Sequence, residues 1–206
     1  MPSFGDNARM AYELVAIGGS WGGLAAYDRI LPGLPANFPA ALLVVQHRAV
    51  DSHHGALTSY LQARTPLEVC EIDDKDPVVP GKVHLAPPDY HTLVERGHFA
   101  LSTEAAVHYS RPSIDVTFES AADAYGERLI GVILTGANED GAAGLRTIRR
   151  RGGFTIAQDP ATADKEIMPA AAIATGAVQR VAQVDEIAPL LVELCAGSTS
   201  PTRSVA

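Results

Sequence analysis

Cysteine and tryptophan are scarce in this chain of 206 residues, with two of the first and one of the second. Cys70 and Cys195 lie far apart and form no CxxC pair, which excludes a disulfide scaffold and a cysteine-based zinc site and leaves two ordinary thiols of a cytoplasmic protein. No apolar run approaches the ~20 residues a membrane-crossing helix needs, so no membrane insertion is expected. The opening Met1–Met10 stretch carries Asp6 and no apolar core, which excludes a secretory signal. Positive charge is also in short supply. Sixteen Lys and Arg face 24 Asp and Glu, and the net charge of -8 argues against a nucleic-acid partner. What remains is an ordinary globular composition, 47% hydrophobic and 19% charged, in a chain long enough for one domain with a sizeable core.

Residues 1–12 read as a lead-in, 13–196 as the domain, and 197–206 as a small, polar, flexible tail. Within the domain, continuous apolar runs alternate with segments of helical spacing. Runs at 13–18, 41–46, 67–72, 129–134, 154–157 and 177–182 read as strands. Segments at 24–31, 56–63, 142–151, 169–175 and 187–195 read as helices. Phe118, Ala121, Ala122 and Tyr125 recur at i, i+3, i+4, i+7, and Pro112 suits the first turn of their helix. Short runs at 82–86, 91–95 and 98–102, punctuated by Pro-Pro-Asp and Arg-Gly, read as a β-hairpin insertion. The expected fold is a doubly wound α/β domain, its mainly parallel sheet flanked by helices on both faces.

Such sheets place their sites at the carboxyl ends of the strands. The first strand runs into Ile17-Gly18-Gly19-Ser20-Trp21-Gly22-Gly23, which fits the Gly-x-Ser-x-Gly nucleophile elbow. The second ends in Gln46-His47, and the strand at 129–134 runs into Thr135-Gly136-Ala137-Asn138-Glu139-Asp140. A serine hydrolase needs a hydroxyl, an imidazole to take its proton, and a carboxylate to orient the imidazole. Ser20, His47 and either Glu139 or Asp140 supply those types. A phosphate-cradling glycine loop is the rival reading of Gly18–Gly23. It wants an acidic residue at the end of the second strand, where His47 stands instead. Asp140 also suits a helix cap before Gly141. Asp51, His53 and His54 have little support as metal ligands. His84, His91, His98 and His108 read as surface or packing residues. Arg149–Arg151 before Gly152-Gly153 reads as the charged, glycine-capped end of a helix.

Several collinear segments then carry a family resemblance: Ile17-Gly18-Gly19-Ser20, Val45-Gln46-His47, Leu85-Ala86-Pro87, Arg111-Pro112-Ser113-Ile114-Asp115, Leu134-Thr135-Gly136, Asp140-Gly141-Ala142-Ala143-Gly144, Ile156-Ala157-Gln158 and Met168-Pro169. Over about residues 14–195 the chain resembles the catalytic domain of the bacterial chemotaxis protein-glutamate methylesterase (CheB) family. The resemblance implies Ser20 as nucleophile, His47 as general base and Asp140, not Glu139, as orienting acid. It implies hydrolysis of glutamate γ-methyl esters, and deamidation of glutamines, on the cytoplasmic helices of methyl-accepting chemoreceptors, with neither metal nor cofactor. Backbone N–H groups near Trp21, Ala137 and Asn138 become the expected oxyanion and substrate contacts. Trp21 stands where the family commonly has a small hydroxyl residue, and Ala137 where methionine is common. The family usually carries an N-terminal receiver domain; the expectation here is a free-standing esterase rather than a fragment, with a separate regulatory protein in place of that domain. Two further expectations stand beside the esterase: a phosphate- or nucleotide-binding module, and a receptor-docking domain without catalysis.

Overall fold

The structure, a computed structural model, describes residues 11–48 and 55–196. The readings of residues 1–10 and 197–206 as lead-in and tail, and of Asp51, His53 and His54, lie outside them. Among the described residues, seven strands form one sheet: β1 (Leu14–Gly19), β2 (Ala41–Gln46), β3 (Glu68–Glu71), β4 (Lys82–Leu85), and, after a separate two-stranded ribbon, β7 (Leu129–Ile133), β8 (Phe154–Gln158) and β9 (Arg180–Ala182). Their order is β3-β4-β2-β1-β7-β8-β9, and every neighbouring pair is parallel.

The continuous apolar runs follow from burial on both sides of this sheet. On β1, Val15 and Ile17 enter one core, while Leu14 and Ala16 enter the other. The first core is completed by α1 (Gly23–Ile30), α2 (Ala56–Gln62) and α6 (Val184–Cys195), through Tyr27, Ile30, Leu61, Ile187 and Leu191. The second is completed by α3 (Ile114–Tyr125), α4 (Ala142–Arg150) and α5 (Ile167–Ala174), through Phe118, Leu145, Ile148 and Met168. From β1 the chain winds outward through β2, then returns across the sheet to β7 and winds the other way. β1 and β7 therefore flank the topological switch point, where a crevice opens at the strands' carboxyl ends.

The hairpin is smaller than the sequence implies. β5 (His91–Glu95) and β6 (His98–Ser102) pair antiparallel as a separate ribbon, but β4 belongs to the main sheet, in register with β2 and β3. Its apolar run is too short to distinguish an inserted ribbon from a buried strand. Pro112 precedes α3 rather than entering its first turn. Ser113 is the N-cap, in extended conformation, with its side chain accepting from Val116 N. The helix at 169–175 begins two residues earlier, at Ile167. The last begins at Val184, where Gln183 and Glu186 form a capping box. The strand read at 177–182 is reduced to 180–182. As expected, Arg149 and Arg150 occupy the last turn of α4, and Gly152 beyond it takes a positive φ of 89°.

Phe118 is fully buried where α3 crosses α4, and Gly144 opposite it has no room for a side chain: a Cβ there would lie 2.6 Å from the Phe118 Cβ. Phe118→Ala is expected to lower stability by about 3–5 kcal/mol. Urea denaturation with an unchanged m-value checks this.

Candidate active site

The site grows from the ends of β1, β2 and β7. Gly19 pairs with Gln46, so Ser20 and His47 are the next pair along neighbouring strands, which run about 4.8 Å apart. His47 N donates to Gly19 O at 3.0 Å, and Ser20 N donates to Thr135 O at 3.0 Å. The turn after Ser20 is sharp. Gly22 takes a φ of 82° as N-cap of α1, a conformation that costs an L side chain strain.

Asp140 follows β7 and is fully buried. It is a capping residue, as its residue type allows, but not of the helix that follows it: Gly141 is the N-cap of α4. Asp140 instead caps α3 from across the site. Its Oδ2 accepts from Ile114 N (2.7 Å), and its Oδ1 accepts from Asp115 N (3.0 Å) and Ser113 Oγ (2.9 Å). The fourth partner is His47, whose Nε2 lies 2.7 Å from Oδ2. Burial raises the Asp140 pKa, but the His47 hydrogen bond and the two backbone N–H groups outweigh it and leave the carboxyl below its usual range. Asp140 is thus an acceptor only. Nε2 of His47 must therefore carry the proton, and Nδ1 is left with the lone pair.

Trp21 is two-thirds exposed (66%) beside this centre, with the Lys165 ammonium 5.9 Å from its ring centroid. The Trp21 carbonyl accepts from Thr135 Oγ1 at 2.9 Å, while its N–H has no intramolecular acceptor among the described residues. Ala137 is exposed in the turn after β7, and Asn138 Oδ1 accepts from Asp140 N at 3.3 Å, shaping that turn. Glu139 lies at the rim of a separate groove, away from the His47 ring contacts.

Sequence reasoning missed three participants. Ser113 and Asp115 help fix Asp140, and only their place in Arg111–Asp115 signalled it. Ser110 brings a hydroxyl 3.4 Å from His47 Nδ1, with no motif to mark it. Of the other histidines, His84 and His91 are buried, packed beside Cys70 and against the Ala105 carbonyl, while His98 and His108 are more open. His108, Asp115 and Asp140 offer ligand atoms within 4.8 Å of one another, but each Asp140 oxygen already accepts two hydrogen bonds. His47 stands between two clefts. One of about 480 Å³ is walled by Leu24, Leu57 and Tyr60, and one of about 360 Å³ by Arg48, Tyr109 and Arg111.

A doubly wound parallel sheet with a serine elbow, a histidine and a buried carboxylate at adjoining strand ends defines an α/β domain of hydrolase type. The sequence profile described as CheB methylesterase matches residues 15–191, and the chain belongs to that family. A relative from Leptospira interrogans is 42% identical over 186 residues, covering 90% of this chain and 96% of the relative. An Anaeromyxobacter dehalogenans relative named protein-glutamate methylesterase/protein-glutamine glutaminase 2 is 45% identical over 182 residues, covering 88% of this chain and 53% of the relative. The chain thus spans nearly all of one relative and about half of the other. The crystal structure of the Thermotoga maritima CheB methylesterase catalytic domain matches with a TM-score of 0.86 and 35% identity, over 90% of this chain and all of that one. No helix among the described residues is long and apolar enough to cross a membrane.

Proposed function

We propose that this chain is a cytoplasmic protein-glutamate methylesterase and protein-glutamine glutaminase acting on chemoreceptor helices, with Ser20, His47 and Asp140 as its triad. The observation that carries the reading is the 2.7 Å bond from His47 to a buried, ionised Asp140, on the strand end beside Ser20. Ser20 Oγ attacks the side-chain carbonyl as its proton passes to Nδ1 of His47. The imidazolium is stabilised by Asp140 through Nε2. The developing oxyanion needs donors that are free beforehand. The Trp21 N–H is one, with the Ala137 and Asn138 N–H groups as partners from the facing turn. The Ser20 N–H is already held by Thr135. His47 then gives its proton to the departing methoxide oxygen, forming methanol, or to the amide nitrogen of a glutamine, forming ammonia. It next takes a proton from water as that water attacks the acyl-enzyme, and returns the proton to Ser20 Oγ as glutamate is released. Each step uses only groups of this chain and water.

The family membership and the names of the relatives support the substrate class. A methylated receptor cytoplasmic fragment incubated with the chain is expected to release methanol in step with loss of its methyl esters. No release above a buffer control would refute the reading.

A further inference from the structure

We propose that Gln46 is a positioning residue that locks the strand ends carrying Ser20 and His47 into one register; this rests on the triad reading above. Gln46 is the last residue of β2 and is buried, 6% exposed. Its side-chain Nε2 donates to Ser20 O at 2.8 Å and to His47 O at 2.9 Å. One amide nitrogen therefore spends both its hydrogens on the two residues that exchange the proton. Beyond Gly19–Gln46 the strand pairing ends, and these two carbonyls lie past it. The orientation has a single sense. Turned over, the amide would set its oxygen against two carbonyl oxygens. Its own Oε1 has no hydrogen-bond partner, so the donors hold the group.

The fit is tight as well as polar. A Cβ on Gly23 would lie 2.1 Å from Gln46 Oε1, and one on Gly19 would lie 3.4 Å from it. Gly23, the last residue of Gly19-Ser20-Trp21-Gly22-Gly23, thus leaves room for this side chain, a use distinct from the turn at Gly22. Thr135 also ties the elbow, through Ser20 N and Trp21 O, but among the described contacts only Gln46 reaches both Ser20 and His47. Small displacements between reacting groups cost large factors in rate, so the strut belongs to the chemistry rather than to substrate affinity.

The test compares wild type with Gln46→Met, which keeps length and loses both donors. Labelling of Ser20 by a fluorophosphonate is followed per folded molecule, together with kcat and KM for methyl-ester hydrolysis. Labelling and kcat are expected to fall at least tenfold together, with KM within about twofold. Wild-type labelling and kcat in a folded variant, even one with a lowered Tm, would overturn the proposal, since that is what a merely structural role gives. Should Gln46→Met not fold, Gln46→Leu carries the same test and the same two outcomes, because its uncharged side chain has no donor for either carbonyl. If wild type itself is not labelled at Ser20, the triad reading fails instead, which separates the two.

Discussion

Ser20→Ala is expected to lower kcat for methyl-ester hydrolysis by roughly 10⁴- to 10⁶-fold, the range seen when a triad nucleophile is removed. The fold should not notice. The Ser20 hydroxyl makes no hydrogen bond within the described residues, and the contacts that hold the residue run through its backbone, which alanine keeps. The change in stability should stay within about 0.5 kcal/mol. His47→Ala should cost a similar factor, because the triad acts as a unit. Ser110 makes this more than a formality, since it is the Ser110 hydroxyl that lies 3.4 Å from Nδ1. Ser110 sits on the loop between β6 and α3 rather than at a strand end of the main sheet, whereas Ser20 follows β1 directly with the free Trp21 N–H next to it. Ser110→Ala is therefore expected to keep more than about a tenth of kcat, on the ordinary scale of a contact outside the triad. Methanol-release assays on the two alanine variants decide between the hydroxyls. Activity lost in Ser110→Ala and kept in Ser20→Ala would exchange their roles.

Much of this arrangement was legible because each site residue follows a strand that is apolar on both faces. Runs such as Leu14–Ile17 and Leu129–Leu134 are long enough to mark buried parallel strands, and the residue after each run is then a sheet-edge residue by geometry. Ser20 and His47 were nominated that way. Asp140 was not separable from Glu139 on local pattern, since both lie in one turn and either side chain suits the role. The family resemblance implied Asp140, and in the structure it is Asp140 that lies 2.7 Å from His47 Nε2. Only Asp140 reaches the N-terminus of α3, a helix 25 residues earlier in the chain. Contacts of that kind leave no local period to read. The same holds for Ser110, and for β4, whose short run gives no sign of which sheet will take it. Gln46 was visible only as the absence of an acidic residue at the end of β2. Its role emerges once two strand ends lie side by side.

Asp140→Asn should have the other large effect, and on two properties at once. The carboxylate accepts four hydrogen bonds, two on each oxygen. An amide must turn its NH₂ toward one of those pairs, and every group there is a donor. If the NH₂ faces Oδ2's partners, His47 must accept through Nε2. The ring's proton then moves to Nδ1, which removes the base that the proposed mechanism needs. A loss in kcat of about 10³- to 10⁴-fold is expected from the wrong tautomer. If it faces Oδ1's partners, the N-terminus of α3 meets a donor where it had an acceptor. Losing the carboxylate there should cost about 1–2 kcal/mol in either case. The pH dependence separates this from a generic packing defect. The folded-state pKa of Asp140 lies below its unfolded value, so its contribution is complete above the unfolded pKa and is lost as pH falls through the folded one. Asparagine has no such titration. The stability gap between wild type and Asp140→Asn, measured by urea denaturation, should be largest near neutral pH and narrow as pH drops below about 4. A gap that stays constant across that interval would mean that the ionised carboxylate does not hold α3 in place. The His47 tautomer would then need another anchor.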